Sequence, residues 1–76
     1  MTSPRVALVH LHLHAHGAVW VVEQCPYCGE RHVHGGGGPN EDPRRFLGHR
    51  VPHCDLQKLP VGVNPSPGYV LREASA

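Results

Sequence analysis

From Val6 to Ala15 the hydrophobic and polar positions alternate with period two. Ala7, Val9, Leu11, Leu13 and Ala15 fall on one side; Leu8, His10, His12, His14 and His16 fall on the other. Successive strand residues point to opposite faces, so this alternation predicts a half-buried β-strand. Gly17-Ala18 offers a turn. Val19-Trp20-Val21-Val22-Glu23 then reads as a second strand, rich in β-branched residues. Together they predict an N-terminal β-hairpin over 5–24.

Beyond the hairpin the pattern thins out. Arg31-His32-Val33-His34 reads as a short extended piece, and Gly35 to Gly38 with Pro39-Asn40 as a flexible loop. Asp42-Pro43-Arg44-Arg45-Phe46-Leu47-Gly48 has the form of one short helical turn, with Asp42 as N-cap, Pro43 as first residue and Gly48 as stop. Val51 precedes a proline, which disfavours helix and predicts extended chain from His49 to Cys54. Prolines 60, 65 and 67 make 60–68 a Pro/Gly loop within a loop-rich C-terminus. Tyr69-Val70-Leu71 can supply a last strand, and 73–76 reads as a frayed tail. The expectation is one small, mostly-β domain over 1–76.

Composition shows what such a domain lacks. The chain has 76 residues, and its aromatics are Trp20, Tyr27, Phe46 and Tyr69. A core of this size contributes only ~3–5 kcal/mol, so a metal, disulfides or a partner is expected to help hold the fold. Three cysteines cannot all pair internally. The start, Met1-Thr2-Ser3-Pro4-Arg5, lacks a signal-peptide pattern, so a CxxC here points to metal or redox chemistry rather than a disulfide framework. No run approaches the ~20 apolar residues of a membrane span, and the expected location is the cytoplasm. A net charge of +1 with histidines neutral gives no overall pull toward nucleic acid. Eight histidines nevertheless make the charge sensitive to pH near neutrality.

The chemistry concentrates in 25–54. In Cys25-Pro26-Tyr27-Cys28-Gly29, two thiols can reach one ion from a tight turn, and the glycine lets backbone amides face the sulfurs. These residues resemble the first knuckle of the zinc-ribbon family, which implies a zinc-ribbon-like fold around one structural zinc ion. The second knuckle of a ribbon is normally another CxxC, and none is present. The remaining thiol is Cys54, and His49 stands before it at the H-x4-C spacing of the second half of retroviral-type zinc knuckles. The expected ligands are therefore Cys25, Cys28, His49 and Cys54, with His53 and then His34 as replacements for His49. His32 reads as a surface residue or as a hydrogen-bond partner of a ligand. A thioredoxin-like redox CxxC would need its thiolate at a helix N-terminus, whereas this one follows a strand and runs into Gly29.

The middle of the chain also resembles a group of short zinc-finger-like proteins from actinobacteria and their phages. The likeness rests on Cys25, Pro26, Cys28, Gly29, His32, His34, Gly35, Gly48, His49, Arg50, His53 and Cys54. It implies a zinc-bound fold and no particular activity.

Three classes of function remain open. Arg31, Arg44, Arg45 and Arg50 could line one face and contact DNA or RNA phosphates. A zinc-stabilised module could instead bind a protein, using the hairpin edge. A metal-dependent nuclease is disfavoured, because there is no HNH-type arrangement and a closed ligand set leaves no position for water. The expectation is a binding module, not an enzyme, with no small-molecule substrate. Tyr27 at the knuckle tip could serve recognition or pack on the hairpin. His10, His12, His14 and His16 share a strand face at ~6.5–7 Å spacing, too far apart to chelate one ion easily, and read as a solvated surface.

Overall fold

The computed structural model describes residues 5–74. It contains β1 (Arg5–His14), β2 (Gly17–Val22), β3 (His32–Gly35), β4 (Gly48–Arg50) and β5 (Tyr69–Glu73). One 3-10 turn (Pro43–Phe46) lies before β4 and another (Leu56–Lys58) after it. The five strands make one sheet in the order β3-β2-β1-β5-β4. β1 and β2 form the antiparallel hairpin, but its turn is Ala15-His16, not Gly17-Ala18, since His14 already pairs with Gly17.

Gly17 serves close approach instead of turning. A Cβ there would stand 2.2 Å from the Gly37 carbonyl oxygen. The glycine run is tied down by the same approach. Ala18 N donates to Gly37 O at 3.1 Å and Gly36 N donates to Ala18 O at 2.9 Å. The expected flexible loop is thus an ordered extension of β3 along β2, where only glycine lets two backbones come this close.

β5 is the element that sequence reasoning placed least well. It lies inside the sheet between β1 and β4, parallel to β1, with Val6 opposite Val70 and Ala7 opposite Leu71. Of the tail expected over 73–76, Glu73 closes β5 and Ala74 N donates to Val9 O at 2.8 Å; 75–76 lie outside the described residues, as do 1–4. The 3-10 turn after Asp42 is capped as expected, with the Asp42 carboxylate accepting from Arg44 N at 3.0 Å.

Directly paired residues share a face, so the registers sort the sheet into two sides. Ala7, Val9, Trp20, Val22, Tyr69 and Leu71 face inward with His32, His34 and Arg50. Val6, Leu8, His10, His12, Val33, His49 and Val70 face outward. The sheet curls around its inner side. In a flat sheet β3 and β5 would be ~14 Å apart, yet the rings of His34 and Tyr69 meet edge to face with centroids 5.5 Å apart. Trp20 and Tyr69 are fully buried at the centre of the core. The Trp20 indole donates to the Pro43 carbonyl at 2.7 Å, which ties the 3-10 turn across the mouth of the curl.

Candidate metal centre

The end of β2 delivers the chain to Cys25. Cys25 N donates to Glu30 O and Gly29 N donates to Cys25 O, both at 2.9 Å, so 25–30 forms a closed turn before β3 begins. Gly29 takes φ +78°, a left-handed conformation that glycine adopts without strain. Tyr27 packs inward: it is 7% exposed, lies 6.5 Å from the Tyr69 ring and donates its hydroxyl to Gly68 O at 2.5 Å. The Arg5 guanidinium lies over the Tyr27 ring, 4.6 Å from its centroid, and donates to Pro26 O. Tyr27 is therefore an anchor of the knuckle, not a recognition tip.

The ligand atoms of Cys25, Cys28, His32 and Cys54 all lie within 4.8 Å of one another. Cys28 Sγ is 3.3 Å from His32 Nε2, and Cys54 Sγ is 3.7 Å from both His32 Nε2 and Cys25 Sγ. A tetrahedral ion with metal–sulfur bonds of ~2.3 Å and metal–nitrogen bonds of ~2.0 Å sets its ligand atoms about 3.5–3.8 Å apart. The two 3.7 Å separations fall in that range and the 3.3 Å one is slightly shorter, and the cysteines are free thiols. Three thiols and one imidazole at this spacing can hold one soft or borderline metal ion.

The thiols of Cys25 and Cys54 are shifted in opposite directions. Burial raises the Cys25 thiol, but the backbone amides of Cys28 and Tyr27 and the neighbouring thiols outweigh it and leave it lowered. The Tyr27 amide stands 3.4 Å from Cys25 Sγ. Cys54 is pushed up to about 12 by burial and by Cys28 and Cys25 beside it. A bound cation reverses that logic, because it stabilises the thiolates that otherwise repel. His32 is lowered, chiefly by burial and then by His53 nearby, which favours the neutral imidazole that ligates metals.

The structure brings together three of the four residues expected from sequence, Cys25, Cys28 and Cys54, and places His49 elsewhere. His49 pairs with Val70 on the outward face, and its Nε2 bonds to Pro67 O at 2.8 Å. Gly48 and Arg50 take the inward positions of β4, so alternation alone turns His49 away. His53 is exposed, as expected for the neighbour of an inward-turned Cys54. His34 faces inward but its Nε2 lies 2.6 Å from the Tyr69 hydroxyl. The imidazole in the group is His32, opposite Val22 on the strand that returns from the knuckle. The signal available was its position: four residues beyond Cys28, two before His34, on the inward side of a strand paired with β2.

The four arginines do not gather into one surface. Arg31 bonds to Glu23 at 3.5 Å, and Arg44 makes a two-pronged pair with Glu73 at 3.0 and 3.1 Å. Arg50 faces inward and donates to Phe46 O at 3.2 Å, while Arg45 stays exposed in the 3-10 turn. The histidine stripe is exposed, with His10 bonded to Glu23 at 2.8 Å. That bond comes first among the contacts that lower the Glu23 carboxyl, ahead of those from Arg31. No helix among the described residues is long and apolar enough to cross a membrane.

No family model matches this chain, and no curated protein and no solved structure is significantly similar to it.

Proposed function

We propose that this chain is a zinc-stabilised binding module whose partner is a protein. The observation that carries the metal half is the grouping of the Cys25, Cys28, His32 and Cys54 ligand atoms within 4.8 Å of one another. Zinc suits this donor set because it accepts thiolate and imidazole in a tetrahedron, and four protein ligands leave no open position for a reacting water. The knuckle likeness of Cys25-Pro26-Tyr27-Cys28-Gly29 supports the same ion. Function then lies on the surface that the ion holds in place, and the module is not an enzyme.

A protein partner is favoured over nucleic acid by what the sheet exposes. Val6, Leu8, Val33 and Val70 are 50%, 61%, 49% and 36% exposed on the outward face. Arg31 and Arg44, two of the four arginines a nucleic-acid reading needs, are neutralised by Glu23 and Glu73. Native mass spectrometry of the purified chain is expected to show one zinc ion, absent from His32→Ala and Cys54→Ser and retained in His34→Ala. Titration with DNA and RNA at low salt is expected to give no affinity that charge reversal of Arg44 and Arg45 abolishes. An ion-free wild-type chain sinks the metal reading; binding lost on that reversal returns the partner to nucleic acid.

A further inference from the structure

We propose that the metal site is also a thiol redox switch, in which oxidation joins Cys25 to Cys54 and releases the ion. This rests on the zinc reading above and adds a regulation to it. Cys25 Sγ and Cys54 Sγ are 3.7 Å apart, so the bond needs them to close by about 1.7 Å to the ~2.05 Å of a disulfide. The two thiols differ in their freedom to do so. Cys25 is 2% exposed and held in the closed knuckle. Cys54 is half-buried in 51–55, a stretch without helix or strand between β4 and the second 3-10 turn, flanked by exposed His53 and Asp55.

That difference assigns the steps. The oxidant is a hydroperoxide, which reaches the more accessible Cys54 first. The Cys54 thiolate attacks the O–O bond, gaining a sulfenic acid and expelling hydroxide (or alkoxide from an organic peroxide). The buried Cys25 thiolate then attacks the Cys54 sulfur, forms the S–S bond and expels a second hydroxide. Two thiolates lose two electrons and one peroxide gains them. Cys28 stands beside His32, 3.3 Å from its Nε2, and is left as a thiol. One thiolate and one imidazole cannot close a tetrahedron, so the ion leaves. The new bond joins the same two segments that the ion joined, which keeps Cys54 docked while the metal is gone. A dithiol reductant restores both thiolates and the ion rebinds.

The experiment uses the zinc-loaded full chain and one equivalent of hydrogen peroxide. A chromogenic chelator follows zinc, and peptide mapping after alkylation follows the cysteines. The expected result is about one zinc released per chain, a Cys25–Cys54 peptide pair, alkylated Cys28, and full rebinding after dithiol treatment. Oxidation of the metal-free reduced chain by oxidised glutathione should yield the same pair. A Cys25–Cys28 bridge, zinc retained after peroxide, or oxidation that dithiol cannot reverse overturns the switch and leaves the zinc reading standing. A chain that takes up no zinc before oxidation removes both together.

Discussion

The two sides of the candidate metal centre are held in opposite ways. Cys25, Cys28 and His32 come from one continuous stretch that runs from the end of β2 into β3, closed by its own backbone hydrogen bonds and stacked through Tyr27 on Tyr69. Cys54 comes from a stretch with no strand or helix, anchored chiefly by buried Pro52 and by Cys54 itself. One side is built by the fold, and the other is recruited to it. An ion placed between them fixes the weaker side to the stronger.

The largest expected effect follows from removing that ion. Chelation should strip amide protection from 51–59 first and leave the β1–β2–β5 amides protected longest. The whole domain should weaken as well, since metal binding contributes to folding whatever free energy it releases. For a domain of 60–100 residues, about 4–8 °C of melting temperature is lost per kcal/mol, so a fall of ~20 °C or more is expected. Hydrogen exchange with mass-spectrometric readout checks the order. Simultaneous loss in both regions would show that the two sides are not distinct.

Sequence patterning captured the stronger side better than the weaker, for a physical reason. The β1–β2 hairpin and the CPYCG turn are local, written in alternation and in residues close together along the chain. Asp42 as a cap is equally local. The place of β5 depends on a parallel pairing with β1 across most of the chain, and nothing in Tyr69-Val70-Leu71 states it. The glycine run reads as freedom in sequence and acts as proximity in the fold, since a Cβ on Gly37 would stand 2.6 Å from Phe46. The choice among histidines needed the face of each strand. Spacing along the chain favoured His49, and strand register selects His32.

A smaller effect separates the two sides in the metal-free state. With chelator present in every sample, Cys25→Ser should still destabilise by about 1–3 kcal/mol, because it leaves a hydroxyl in a buried site made for sulfur. Cys54→Ser, at a half-buried position, should cost less, about 0.5–1 kcal/mol, under the same conditions. Urea denaturation gives both values. Equal losses would mean that Cys54 is packed as firmly as Cys25.

The pH dependence should differ with and without the ion above pH 9. In the metal-free fold Cys54 lies near 12, above its ordinary 9.0. A thiol raised on folding contributes stability below pH 9 that is lost as pH climbs from 9 toward 12. Tyr69, raised by burial and then by the cysteines, acts in the same direction. Cys25 is lowered and acts the other way, but from about pH 10 it is ionised in both states and adds no further change. The loaded protein should instead weaken as pH falls, because protons compete with the ion for thiolates and for His32. Without the ion, His32 and His34, both lowered chiefly by burial, also favour the fold as pH rises through the imidazole range, so the two states are told apart above pH 9. Urea midpoints should fall from pH 9 to 11 with chelator and hold with zinc. A fall of the same size with zinc would remove the ion from the explanation.

The smallest expected effect decides which histidine completes the site. His49→Ala removes an exposed bond to Pro67 O on the outward face, so the cost should be about 0.5 kcal/mol and at most ~1. Zinc stoichiometry by native mass spectrometry should stay at one ion. His32→Ala, in contrast, removes the imidazole 3.3 Å from Cys28 Sγ and should weaken zinc retention against a competing chelator far more than it changes the metal-free fold. The pair of variants is informative because the two residues lie on opposite faces of one curled sheet. Loss of the ion in His49→Ala with retention in His32→Ala would require β4 to turn over, bringing His49 inward and sending Arg50 out. That outcome would overturn the register of β4 on β5 along with the ligand set.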